Sequence, residues 1–137
     1  MANASPQPKL NEPFEIIASA AYTATQTSDE YNVPGMQGII MFLDVTAESA
    51  TPQLTISVEA KMPKGTTYEQ VCAFTQLDLS GAAQYLLIAA PGLLAANVNG
   101  SNAEGLACYL PPQFRVVVTA ADSDSATYSL GGWCIRG

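Results

Sequence analysis

Apolar and polar residues alternate over short stretches through much of this chain. Leu54, Ile56 and Val58 are interleaved with Thr55, Ser57 and Glu59, and Phe114, Val116 and Val118 with Arg115, Val117 and Thr119. A period of two puts successive side chains on opposite faces of a strand. Both runs belong to longer units. Leu43 to Glu59 reads as strand, turn and strand, with Glu48 to Pro52 at the turn. Leu110 to Leu130 repeats the pattern around Asp122-Ser123-Asp124-Ser125. Each unit is expected to form an antiparallel hairpin.

Other elements follow from the same reasoning. Ile39-Ile40-Met41-Phe42-Leu43 is an unbroken apolar run inside Gly38 to Val45. It suits a strand buried on both faces, or one buried on a single face and covered on the other by a neighbouring subunit. Phe14 to Thr27 begins apolar and becomes rich in Ala and Thr. Val33-Pro34-Gly35 and Met62-Pro63-Lys64-Gly65 mark turns, and Tyr68 to Leu79 reads as a further strand. Ser80 to Ala90 suits a short helix by propensity, but its β-patterned flanks favour a strand. Asn97 to Gly105 is expected to be a loop, and Gly131-Gly132 a kink before Trp133-Cys134-Ile135. The sum is an all-β single domain, an antiparallel β-sandwich or barrel of about seven or eight strands. It spans residues 14–137, preceded by an extended N-terminal arm over residues 1–13.

Composition narrows the functional classes. The chain has 137 residues, 48% of them hydrophobic and only 12% charged, with a net charge of −7. A chain of this length builds a core without disulfides or metals. So few charges leave small residues to cover the exterior, which suits close protein contacts. Lys9, Lys61, Lys64, Arg115 and Arg136 are scattered, so there is no basic face for nucleic acid and no polybasic membrane anchor. Residues 1–13 do not read as a signal peptide. The longest apolar run, Tyr85 to Ala96, contains Pro91-Gly92 and is too short to span a bilayer. A soluble protein made in the cytosol is expected.

Histidine is absent, so neither a Ser-His-Asp nor a Cys-His arrangement can be built. Asp29-Glu30 and the Asp122/Asp124 pair lie in expected turns, where aspartate bonds local backbone donors. No calcium loop or phosphate-binding glycine loop has the required spacing. Cys72, Cys108 and Cys134 are too far apart for a zinc motif. Three reduced thiols are the favoured reading, with one disulfide and a spare thiol as the alternative. No catalytic residues, metal or cofactor are expected. Tyr68, Tyr85, Tyr109, Tyr128 and Trp133 would suit either core and interface anchors or a sugar-binding platform.

Two features point to contacts with other chains. Pro6, Pro8 and Pro13 hold the first residues in extended geometry. That segment is either a frayed terminus or an arm that orders on a neighbouring sheet edge, with Lys9 and Leu10 among its contacts. Arg115, alone in a strongly β run, is either an exposed arginine with a packed stem or a clamp on a carboxylate, within the subunit or across a boundary.

The strand ending Leu43-Asp44-Val45-Thr46-Ala47, then Thr51-Pro52 and Leu54-Thr55-Ile56, then Leu110-Pro111-x-x-Phe114-Arg115-Val116 followed by Asp122-Ser123-x-Ser125-x-Thr127-Tyr128-Ser129, resembles small β-structured virion proteins of tailed bacteriophages. The resemblance covers residues 36–130 and includes Pro91-Gly92-Leu93. The Ala- and Asn-rich stretch after Leu93 and the tail from Gly131 to Gly137 depart from it. It implies a non-enzymatic capsid decoration, or cement, protein that binds the major capsid protein on the outside of the head shell. It also implies a homo-oligomer, a trimer foremost, made in the bacterial host cytoplasm. The arm would then dock on the capsomer, and Glu12, Glu15 or Arg115 would fix its register. The alternatives are another virion component, such as a head fibre or tail protein, and a carbohydrate-binding β-sandwich module.

Overall fold

The computed structural model describes residues 7–93 and 102–136. Among these, no helix occurs and eleven strand segments do. They are β1 (Phe14–Tyr22), β2 (Gln26–Thr27), β3 (Tyr31–Asn32), β4 (Gly38–Glu48), β5 (Gln53–Lys61), β6 (Tyr68–Ala73), β7 (Leu77–Asp78), β8 (Ala83–Ala90), β9 (Ala103–Ala107), β10 (Gln113–Ala120) and β11 (Ala126–Ile135). One sheet has the order β1-β11-β4-β8-β9. The other has the order β2-β10-β5-β6, with β3 also on β10 and β7 also on β5. The edges of the second sheet are therefore strands broken in two. These two breaks, together with β9 at the edge of the first sheet, are why there are more segments than the seven or eight strands expected.

With each broken edge merged, the chain changes sheet at almost every connection. It enters the first sheet as β1, crosses for β2 and β3, and returns as β4. It crosses again for β5 to β7, returns as β8 and β9, crosses for β10 and ends in the first sheet as β11. Eight strands wound this way in two packed sheets make a jelly roll, to which β9 is added at one edge. The strand ladders are antiparallel except β8–β9, which is parallel.

Neither expected hairpin forms. β4 and β5 lie in different sheets, as do β10 and β11, so both turns are corners from one sheet to the other. The two arches pair with each other instead. β4 runs along β11 from Glu48–Ala126 to Gly38–Ile135, and β5 runs along β10 from Leu54–Ala120 to Ala60–Phe114. The corners are bonded as well. Ser49 N donates to Ser125 O at 2.9 Å, Ser125 N to Ser49 Oγ at 3.3 Å, and Ala121 N to Gln53 O at 3.1 Å. A hairpin and an arch have the same alternation and the same turn residues. They differ only in which strand supplies the backbone partners, and that is a long-range property.

The apolar rows meet in one core. Ile39, Met41, Leu43 and Val45 of β4, Leu54, Ile56 and Val58 of β5, and Phe114, Val116 and Val118 of β10 are all buried in it with Tyr128, Leu130 and Cys134 of β11. Side chains of this kind each contribute roughly 1.5–3 kcal/mol when fully buried.

Several local expectations hold. Ser80 to Ala90 contains strand β8, and Pro34-Gly35 forms a turn closed by Met36 N to Val33 O at 3.2 Å, with Gly35 at φ 82°. Pro at the second position and a positive-φ Gly at the third are what such a turn needs. Others are corrected. The strand expected over Tyr68 to Leu79 breaks between Ala73 and Leu77. The loop expected over Asn97 to Gly105 ends early, because β9 starts at Ala103; its residues 97–101 lie outside the described residues. Gly131-Gly132 does not kink the chain: β11 runs straight through it. A Cβ on Gly132 would overlap the Ile40 carbonyl oxygen. The glycine is there for close strand approach, not for a bend.

Candidate assembly surface

The first sheet presents an apolar outer face. Because Ile39, Met41, Leu43 and Val45 point inward, Ile40, Phe42 and Asp44 point outward. Strand register carries that face across the sheet. Ile40 lies opposite Ile88 of β8 and Trp133 of β11, Phe42 opposite Leu86 and Gly131, and Asp44 opposite Gln84 and Ser129. Ile135, two positions beyond Trp133, continues the row. Phe42 is 43% exposed, while Ile40, Leu86, Ile88 and Trp133 are half-buried. The unbroken apolar run of β4 is thus buried on one face only. Its second face opens outward among the described residues.

The centre of this face is an aromatic pair. The rings of Phe42 and Trp133 lie 5.5 Å apart between centroids at an interplanar angle of 34°. Gly131, with no side chain, opens a trough beside them. It is lined by Pro13, Phe14 and Glu15 on one side and by Phe42 and Trp133 on the other, with a volume of about 430 Å³. Glu15, Asp44, Gln84 and Ser129 form a polar margin. An apolar centre with a polar rim is the usual anatomy of a protein interface.

The outer face of the second sheet is ionic instead. Arg115 of β10 is the register partner of Glu59 of β5, and its Nε lies 2.7 Å from Glu59 Oε1. The guanidinium carbon sits 3.8 Å from the centroid of the Tyr68 ring, a cation–π stack. Lys61 Nζ lies 3.4 Å from Glu30 Oε1. The Tyr68 hydroxyl is closed off from solvent without a partner of good hydrogen-bond geometry. Its attraction to the Glu30 carboxylate is still the largest influence holding that carboxyl below its ordinary value, with Lys61 and Arg115 adding to it. Burial first, and then Glu30, push the Tyr68 hydroxyl up to about 12. Arg115 is therefore placed against a carboxylate of its own subunit.

The described part of the arm lies beside β11. Leu10 forms a parallel bridge with Cys134, and Asn11 N donates to Cys134 O at 2.9 Å. Leu10 and Pro8 are half-buried, and Lys9, Glu12 and Pro13 are exposed. Pro6 lies outside the described residues. The arm and Arg115 are not brought together: one borders the trough, and the other lies on the opposite outer face.

The remaining candidates disperse. Tyr128 is in the core, Tyr85 packs against it from β8 opposite Leu43, Tyr68 is under Arg115, Trp133 is on the apolar face, and Tyr109 is exposed beyond β9. The five aromatics therefore do not share one platform. Asp122 Oδ1 accepts the Asp124 N–H at 3.1 Å, a local turn bond. Among the described residues no three His, Cys, Asp or Glu side chains gather as a metal site. The three cysteines are free thiols. Sequence reasoning missed the Phe42–Trp133 pair. Its signal was the apolar residues at even positions of β4, but the partner strand could not be read from them. Compared with protein-family models, curated proteins and solved structures, the chain matches none.

Proposed function

We propose that this chain is a non-enzymatic structural subunit of a bacteriophage virion, a capsid decoration protein whose apolar sheet face makes its contacts. The observation that carries the reading is the outward row Ile40, Phe42, Leu86, Ile88 and Trp133 on an otherwise well-packed subunit. Exposed apolar patches with a polar rim mark interaction sites. The jelly roll is an architecture of viral capsid domains, and also of lectins and cupins, so it supports the reading without fixing it.

Size gives the patch its manner of use. Three strands about 4.8 Å apart and about 20 Å of length give roughly 300 Å². A stable two-protein interface takes about 800 Å² from each partner. One patch alone holds weakly, and many copies on a shell hold firmly through effective concentration. A homo-oligomer, a trimer foremost, seated on the major capsid protein fits that arithmetic.

The test is light scattering of the purified chain, then co-sedimentation with expanded heads of the phage that encodes it. Self-association and head binding, both lost in Phe42→Ser/Trp133→Ser with the far-UV spectrum unchanged, are the expected results. A monomer that ignores heads but binds glycans through Trp133 would replace this reading with that of a carbohydrate-binding module.

A further inference from the structure

Cys72 and Cys108 sit at the same open edge of the sandwich, one from each sheet. Cys72 is the register partner of Val58 on β5, and Val58 points into the core, so Cys72 faces inward from the edge strand β6. On the other sheet, Cys108 N donates to Ala90 O at 3.1 Å, which extends the β8–β9 ladder by one step. Both thiols are half-buried and pack against the core. The same edge is already tied by a polar contact. Glu104 of β9 accepts the Thr75 N–H through Oε1 at 3.0 Å and Oε2 at 3.1 Å. Thr75 is three residues after Cys72, and Glu104 four before Cys108. That contact holds the two sheet edges together beside both cysteines. Cys134 is buried in mid-sheet on β11, opposite Ile39.

We infer that Cys72 and Cys108 are an oxidisable pair that forms a disulfide joining the edges of the two sheets, with Cys134 as the spare thiol. This does not depend on what the apolar face docks against.

The oxidant class is a low-molecular-weight disulfide such as glutathione disulfide. The thiolate of one cysteine attacks a sulfur of that disulfide. An S–S bond forms to the protein, and one glutathione thiolate leaves. The thiolate of the second cysteine then attacks the protein sulfur of the mixed disulfide, and the second glutathione thiolate leaves. Two protein thiols lose two protons and two electrons, and the oxidant becomes two glutathione thiols. Burial, with the Cys108 thiol adding to it, pushes the Cys72 thiol above its ordinary value. Thiolate is scarce at neutral pH, so oxidation is slow there and quickens as pH rises.

The experiment incubates the purified full chain with glutathione disulfide, alkylates it under denaturing conditions, and weighs and maps the product. The expected result is chains with no covalent link between them, one alkylated thiol each, at Cys134, and a Cys72–Cys108 cross-linked peptide. Tm rises by about 10 °C, because a loop of this length is closed in the unfolded chain. Cys134→Ser keeps the cross-link, and Cys72→Ser and Cys108→Ser each abolish it. The inference is overturned if the unmodified chain keeps three alkylatable thiols after prolonged oxidation at pH 8.5, or if its bonds run through Cys134 or between chains. The thiol count is made on the natural sequence, so a variant that fails to fold does not blunt the test.

Discussion

Gly132 on β11 and Ile40 on β4 approach so closely that no side chain fits between their backbones: a Cβ on Gly132 would overlap the Ile40 carbonyl oxygen. The obstacle is backbone in the middle of the longest ladder, so it cannot swing away. Gly132→Ala is expected to cost about 2–4 kcal/mol and lower Tm by about 10 °C. Gly131→Ala is the control. Its Cβ would meet only the Phe14 carbonyl oxygen at 3.3 Å, and a loss within about 1 kcal/mol is expected. Thermal denaturation of the two variants side by side checks both.

Trp133 is the sole tryptophan of the chain and lies on the proposed contact face. Its emission therefore reports docking without a label. In dilute protein it is expected to be quenched by iodide. On self-association or head binding the emission should move to shorter wavelength and the quenching should fall. Emission that stays the same between free and bound states would show that contact is made elsewhere.

Arg115 and Glu59 are partners across the β10–β5 ladder, with side chains 32% and 21% exposed. A double-mutant cycle of Arg115→Ala and Glu59→Gln is expected to give a coupling of about 1 kcal/mol, above the median for surface pairs because the bond is short and half-shielded. Arg115→Lys should recover only part of the loss, since an ammonium does not reproduce the planar stack on Tyr68. Urea titrations of the five proteins measure both.

Glu30 sets a pH dependence. Its carboxyl is held below the ordinary value of 4.5 in the folded chain, by Tyr68 first and then by Lys61 and Arg115. The folded form therefore releases this proton more readily than the unfolded form. Its contribution is complete above about pH 5 and fades as pH falls through the lowered folded value. With the side chain 43% exposed, the effect is small. Glu30→Gln should lower Tm by on the order of 1 °C at pH 7, and by progressively less as pH falls below the ordinary value of 4.5. A deficit that does not shrink with falling pH would point to packing instead.

The strands themselves were legible in the sequence, because alternation such as Leu54-Thr55-Ile56-Ser57-Val58 is a local property. Their partners were not. The turn at Glu48 to Pro52 looks the same whether β5 folds back beside β4 or passes over to the other sheet. Ser49 meets Ser125 only because β10 and β11 repeat the arch far along the chain. Gly131-Gly132 misled for a similar reason: glycine marks both bends and close approaches, and only the position of Ile40 separates the two. The outward face of Ile40 and Phe42 was half visible. The unbroken run showed that a second apolar face existed, but not that Trp133 would stand beside it.

The interlocked arches also govern how the molecule is made. The Thr46 hydroxyl on β4 donates to the Thr127 carbonyl oxygen on β11 across 81 positions of sequence. At about 5–20 residues per second, a ribosome takes roughly 4–16 s to deliver that partner. Until then the row from Ile39 to Val45 can pair on one side only, with β8. Nascent chains halted before β11 should collect in inclusion bodies or on chaperones, and folding of the finished chain should be slow, as for other folds of high contact order.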